Sequence, residues 1–222
     1  MMRRTRLAAG AGLALGLVAG AARGAGDDDG AAIRAPGLLL DLAQQPAGGE
    51  KGGAAIPEKA APPRFGEARS RWWSAGVGVA NNLQGANDFN IRGAYSYFLV
   101  DDVEFSAELN GWYFQQPGRD AVGINPAMVV RWHFIDDGTW TVYGDVGIGL
   151  LFASDEVPEG GTQFDFTPRI GGGVTRLLDP ATGLRLQAGL RWHHISNARI
   201  YGAADNPSRD GLMVYAGLQW PF

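Results

Sequence analysis

The sequence predicts an all-β fold: an eight-stranded antiparallel transmembrane β-barrel preceded by a disordered N-terminal extension. Three observations carry this expectation. From Trp72 onward apolar residues recur with a period of two, the pattern of strands whose faces meet different environments. The 222 residues include 34 Gly and 10% aromatics without any collagen-like repeat, a composition of strands and tight turns. The face opposite the apolar one carries Arg and Glu in strand after strand, too many charges for a sandwich core but suited to a narrow polar lumen.

Composition excludes several alternatives. After the N-terminus no apolar run reaches the roughly twenty residues a membrane-spanning helix needs, which rules out a polytopic helical protein. With no Cys there are no disulfides, no thiolate metal sites and no Cys nucleophile, and only His133, His193 and His194 remain for base or metal chemistry. No His and carboxylate cluster has ligand spacing, and adjacent His193 and His194 point to opposite faces of a strand, so neither metal nor other cofactor is expected.

Residues 1–25 read as a secretory signal peptide: Arg3, Arg4 and Arg6, an apolar stretch from Leu7 to Ala22, then small residues through Gly24-Ala25. An uncleaved anchor is the alternative, which the short, Gly-rich stretch disfavours. Cleavage after Ala25 would remove four Arg and take the formal charge from −4 to about −8, arguing against a nucleic-acid partner. Residues 26–70 read as a low-complexity, mostly disordered extension rich in Ala, Gly and Pro, with Leu38 to Gln45 as a candidate short helix or docking plug.

Residues 71–222 form the predicted barrel, its strands read by parity. The first sets Trp73, Ala75, Val77 and Val79 against Ser74, Gly76 and Gly78, and the second sets Phe89, Ile91, Tyr95, Tyr97 and Leu99 against Asn90, Arg92 and Ser96. The third alternates most cleanly, with Val103, Phe105, Ala107 and Leu109 against Glu104, Ser106 and Glu108. In the fourth, Ile124 to Phe134 alternates with Asn125, Arg131 and His133; in the fifth, Trp140, Val142, Val146 and Ile148 alternate with Thr141, Tyr143 and Asp145. The sixth runs from Phe164 to Thr175 with Asp165 and Arg169 on its polar face; the seventh sets Leu184, Leu186, Leu190 and Trp192 against Arg185, Gln187 and Arg191. The eighth sets Leu212, Val214, Leu218, Trp220 and Phe222 against Tyr215 and Gln219. Trp73, Tyr97, Tyr113, Trp132, Trp140, Trp192 and Trp220 lie near strand ends, as interfacial girdles require. A terminal Phe closing an alternating strand resembles the signature read by the bacterial barrel-assembly machinery, which makes that machinery and outer-membrane lipids expected partners. Eight strands leave an interior filled by side chains, so no wide pore is expected. The inward charges, with His133, read as a mutually satisfied structural network.

Parity isolates one pair of residues. His194 continues the face of Leu190 and Trp192, so it points toward lipid near a strand end, with Ser196 on the same side. Charged residues on the lipid face cost about 2–4 kcal/mol at the midplane and much less at the rim, so a polar pair there belongs at the rim and needs a reason. Two-residue spacing brings an imidazole close enough to take a serine proton and activate a nucleophile.

The string Phe164-Asp165-Phe166-Thr167-Pro168-Arg169-Ile170-Gly171-Gly172-Gly173, followed by His194-Ile195-Ser196-Asn197-Ala198, Asn206-Pro207 and Asp210-Gly211-Leu212, resembles the lipid A 3-O-deacylase family of eight-stranded outer-membrane barrels. The resemblance covers about Trp72 to Phe222. It implies a bacterial outer-membrane location, lipid A or lipopolysaccharide as substrate, Ser196 as nucleophile and His194 as its general base. It also implies that activity depends on Asn197 and that Asn206 with nearby backbone amides helps hold the oxyanion. The family's orienting Glu aligns with Met213, which cannot serve. Counting without a gap from Ser196 puts Ser208 there instead, and Asp205 and Asp210 are the nearest carboxylates, with Asp210 the candidate orienting acid.

Two competing classes remain at this stage. A non-enzymatic barrel with an envelope-anchoring or adhesion role would tolerate replacement of His194 and Ser196. A lipocalin-like carrier would need an apolar interior, which the inward Arg and Glu contradict. Sequence leaves open which ester is cut and whether the barrel forms a homodimer.

Overall fold

The computed structural model describes residues 61–82, 85–203 and 206–222. The predicted signal peptide, the extension up to residue 60 with its Leu38 to Gln45 segment, and Asp205 lie outside the described residues.

Nine β-segments follow in order: β1 (Arg71–Asn81), β2 (Asn87–Val100), β3 (Val103–Phe114), β4 (Ala121–Asp136), β5 (Trp140–Ala153), β6 (Phe164–Phe166), β7 (Arg169–Asp179), β8 (Leu184–Ile195) and β9 (Arg209–Pro221). All pairings between them are antiparallel, and β1 pairs with both β2 and β9, which closes the sheet into a barrel. Eight staves result, because β6 and β7 both pair with β5 and together form the sixth. The expected continuous strand from Phe164 to Thr175 is thus broken at Thr167-Pro168. Pro168 has no N–H to give a ladder, so the strand jogs there. The last stave starts at Arg209, earlier than the expected Leu212.

The faces follow the parity reading throughout. Val77, Ile91, Leu109, Met128, Trp132, Val146, Ile170, Leu190 and Val214 are exposed on the outer wall, while Arg92, Glu104, Glu108, Arg131, Asp145, Arg169, Arg185 and Arg191 are buried inside. An outer wall of this kind needs hydrocarbon around it. Three turns at one end are short, at residues 101–102, 137–139 and 180–183, whereas the connections at the other end run to 154–163 and 196–208. Short turns mark the periplasmic end and long loops the extracellular end.

The lumen is filled in three tiers. At mid-height Glu108 gathers Arg92, Arg131, Arg169 and Arg191 within 3.2–3.9 Å, and Asp145 bridges Arg131 and Arg191 at 3.4 and 2.8 Å. Glu104 accepts from Arg131 at 2.8 Å and contacts Nε2 of His133 at 3.0 Å, so His133 belongs to this network. Tyr143 and Tyr215 meet hydroxyl to hydroxyl at 2.7 Å across the lumen. They fit because Gly173 and Gly189 have no Cβ, which at either position would come within 2.6 Å of a tyrosine oxygen. The extracellular tier is largely apolar, with Trp112, Phe114, Leu151, Val157, Ile195 and Met213, and the buried Asp88–Arg209 ion pair lies against Phe114.

The periplasmic tier comes partly from the stretch expected to be disordered. Phe65 is buried with Trp72 and Phe98, its ring edge-on to both at centroid distances of 4.8 and 5.3 Å, with the Arg185 guanidinium 4.3 Å above it. The backbone around it is tied to the β2–β3 turn, where Asp102 N–H donates to Gly66 O at 2.8 Å. Among the described part of 26–70, then, residues 64–70 pack onto the barrel.

Candidate active site

The extracellular end of β8 presents Leu190, Trp192 and His194 in succession on the outer wall, and Ser196 follows just after the strand ends. Ser196 is held in an extended position by a bridge to β6: Phe166 N–H donates to Ser196 O at 2.8 Å, and Ser196 N–H returns a bond to Phe166 O at 3.2 Å. Beside it His194 N–H donates to Pro168 O at 3.0 Å. The jog at Pro168 lets the short β6 serve β5 on one edge and the serine on the other. Packed in this way, Ser196 is only 8% exposed, less open than a residue simply facing lipid.

On the other side of β8, β9 places Asp210 directly opposite His194. The imidazole therefore sits between two partners, with Nε2 3.0 Å from Ser196 Oγ and Nδ1 3.0 Å from Asp210 Oδ1. When Asp210 Oδ1 accepts a hydrogen bond from Nδ1–H, the Nε2 lone pair is left facing the serine hydroxyl. The Trp192 ring lies alongside the imidazole at 5.9 Å and 29°. The three groups have the order of a nucleophile, a base and an orienting acid.

Met213, which alignment puts in place of the orienting acid, is not near this line. It is 2% exposed in the extracellular apolar tier, on the lumen side of β9. Asp210, Leu212 and Val214 share one face of β9 and Met213 takes the other, so no side chain at 213 reaches His194 without a change of register. Gly211 between them is required: a Cβ there would overlap the His193 ring, which turns inward and stacks on Trp112 at 5.1 Å.

The remaining candidates cluster behind the serine. Asn197 is 1% exposed; its Nδ2 donates to Thr162 Oγ1 at 3.3 Å and its Oδ1 accepts from Arg199 N–H at 2.8 Å. That second bond supports two consecutive left-handed residues, Ala198 at φ 52° and Arg199 at φ 64°, which turn the chain away from the strand. Asn206 Oδ1 accepts from Asn197 N–H at 2.9 Å. The Asn206 carbonyl thus occupies the very backbone amide that follows the serine, leaving Nδ2 as the donor this side chain offers to an oxyanion. Ser208 is exposed on the approach to β9, and the hydrogen bonds of the His194 ring run to Ser196 and Asp210. Sequence reasoning gives no role to Thr162, Asp165 and Phe166, although Asp165 and Phe166 lie in the Phe164 to Gly173 string and the alternation there puts Asp165 on the inner face. On the outer wall Phe152, Phe164 and Phe166 form an aromatic shelf, with ring centroids 5.3 and 5.6 Å apart. Among the described residues no cluster of three or more His or acidic side chains is arranged to hold a metal ion.

Comparison with known proteins bears on this geometry. The family model described as Lipid A 3-O-deacylase (PagL) matches residues 66–219. Among solved structures, Neisserial surface protein A is similar with a TM-score of 0.52 and 21% identity, covering 68% of this chain and 96% of its own. The outer membrane enzyme PagL gives 0.47 and 21%, covering 67% and 97%, and the N-terminal barrel domain of Pseudomonas aeruginosa OprF gives 0.48 and 18%, covering 70% and 98%. No curated protein matches the chain.

Proposed function

The chain belongs to the lipid A 3-O-deacylase (PagL) family of outer-membrane barrels, and from that premise we propose that it hydrolyses an ester-linked acyl chain of lipid A by a Ser–His–Asp mechanism at the outer rim of its wall. The observation that carries this reading is the unbroken line Ser196 Oγ, His194 Nε2, His194 Nδ1 and Asp210 Oδ1, with 3.0 Å at each hydrogen bond.

In this reaction His194 Nε2 takes the Ser196 proton as Oγ attacks the ester carbonyl. Asp210 stabilises the imidazolium that forms and keeps its proton on Nδ1. The tetrahedral oxyanion is met by Asn206 Nδ2 and neighbouring backbone amides, while Asn197 fixes the loop that carries them. Collapse expels the sugar hydroxyl, which takes the proton from His194 Nε2. Water, deprotonated by the same nitrogen, then releases the fatty acid and restores Ser196. The shelf of Phe152, Phe164 and Phe166 gives the departing acyl chain an apolar surface continuous with the leaflet.

The test is mass spectrometry of lipid A after incubation with detergent-refolded protein, beside His194→Ala and Ser196→Ala. Loss of one ester-linked acyl chain with the parent and with neither variant is expected. Unchanged lipid A with a correctly folded barrel would overturn the enzyme reading and leave an envelope barrel without this chemistry. Insertion by the barrel-assembly machinery belongs to the same proposal, and cross-linking in the membrane tests whether barrels pair as a homodimer.

A further inference from the structure

Five carboxyl groups are buried among the described residues: Asp88, Glu104, Glu108, Asp145 and Asp165. Four of them meet a guanidinium. Asp88 pairs with Arg209, Glu104 with Arg131, Glu108 with four Arg, and Asp145 with Arg131 and Arg191. Asp165, 2% exposed, has no such partner and lies opposite the fully buried Leu151 of the apolar tier. Its Oδ1 is 3.1 Å from Thr162 Oγ1, and its Oδ2 has no hydrogen bond. A carboxylate so placed is expensive, whereas a neutral carboxylic acid is not.

The hydrogen bonds around Thr162 point to the neutral form. A hydroxyl has one proton and two lone pairs. Thr162 Oγ1 is 2.8 Å from Phe164 O, a pure acceptor, which claims that proton. Asn197 Nδ2 donates to Thr162 Oγ1 at 3.3 Å and uses one lone pair. With the hydroxyl proton directed at Phe164 O, the contact with Asp165 is satisfied by a carboxyl proton donated to the second lone pair. Every donor then has an acceptor. The arrangement also fixes which end of the Asn197 amide faces Thr162 and which faces Arg199 N–H.

We propose that Asp165 is a neutral carboxylic acid that, through the Thr162 hydroxyl, locks the side-chain amide of Asn197 behind Ser196. Asp165 and Thr162 are then positioning residues for the hydrolase, an assignment that rests on the reading given above. They touch no substrate. Their effect passes through Asn197 to the loop that carries the oxyanion donors, while the neighbouring Phe166 holds the serine backbone from the same short strand.

The experiment uses the full refolded chain with Asp165→Asn, Asp165→Ala, Thr162→Ser and Thr162→Val, and Thr162→Val again in an Asn197→Ala background. Only preparations with heat-modifiable mobility are assayed. Two rates are read, steady-state release of fatty acid from lipid A and labelling of Ser196 by a fluorophosphonate, which needs no lipid. Asn at 165 is a neutral donor of similar shape, so Asp165→Asn and Thr162→Ser keep both rates near the parent's. Asp165→Ala and Thr162→Val lower kcat and labelling about tenfold with KM unchanged, the scale of one lost hydrogen bond to a positioned group. In the Asn197→Ala background Thr162→Val adds nothing further. Parent-like rates for Thr162→Val, equal losses for Asp165→Asn and Asp165→Ala, or additive losses in the double variant overturn the proposal. If lipid A is untouched but Ser196 is labelled, the substrate assignment falls and the labelling rates still decide Asp165; if the parent serine is not labelled at all, both fall.

Discussion

Replacing Asp210 by Asn tests the site most directly, because it removes a charge and leaves the shape. At a charge separation of about 4 Å and an effective dielectric of about 20, a carboxylate stabilises an imidazolium by about 4 kcal/mol. The His194 and Asp210 side chains are 26% and 39% exposed, so screening by water reduces that to about 2 kcal/mol. The imidazolium exists only after the serine has lost its proton, so the whole loss falls on the transition state. A fall in kcat of about 30-fold follows from the charge alone. Asn can also donate its amide proton to Nδ1, forcing the tautomer whose Nε2 carries a proton and cannot accept from Ser196, which extends the fall toward about 1,000-fold. KM should not change. The assay is the rate of fatty-acid release from lipid A, with heat-modifiable mobility as the control for folding. Met213→Glu is the matching variant: it restores the acid that alignment expects, but places it in the apolar tier of the lumen, so it should weaken the barrel and add no activity. Parent-like turnover for Asp210→Asn, or a gain with Met213→Glu, would refute the assignment.

Two further outcomes concern the scaffold. Glu108→Gln leaves Arg92, Arg131, Arg169 and Arg191 without their shared anion and should lower unfolding free energy by about 3–5 kcal/mol in urea titrations of the refolded barrel, with little change in KM. Phe65→Ala empties the space between Trp72, Phe98 and Arg185 and should cost about 3–5 kcal/mol in the same titration, while activity at the opposite end of the barrel stays at the parent's level.

Period-two reading recovers the wall of this barrel because a transmembrane strand obeys one strong rule, apolar out and polar in, and each residue reports its own side. Leu190, Trp192 and His194 were legible as one face for that reason. What a strand cannot report alone is its neighbour. The proposed orienting acid is a cross-strand relation, His194 on β8 to Asp210 on β9; motif alignment along the chain puts Met213 at the acid's position and offers Asp210 only as one of the nearest carboxylates. Parity on β9 favours Asp210, which shares a face with Leu212 and Val214 whereas Met213 does not. Phe65 was missed because a single aromatic amid Ala, Gly and Pro has no periodicity to reveal it. Pro168 reads as one more position of an alternating strand, although a missing N–H in a closed sheet marks a break. Along the chain Asp165 is likewise one polar residue of an inner face, and its lack of a cation becomes visible only once the lumen is assembled.

Placing His194 on the outer wall beside Trp192 and Leu190 alters what concentration means for the proposed reaction. A lipid substrate would arrive by lateral diffusion within the leaflet, edge-on to the protein, without passing through bulk water. The governing variable would be the mole fraction of lipid A among the surrounding amphiphiles. Diluting a mixed micelle with more detergent at constant lipid A should slow turnover, whereas diluting it with buffer at a fixed ratio, above the critical micelle concentration, should leave turnover per barrel unchanged.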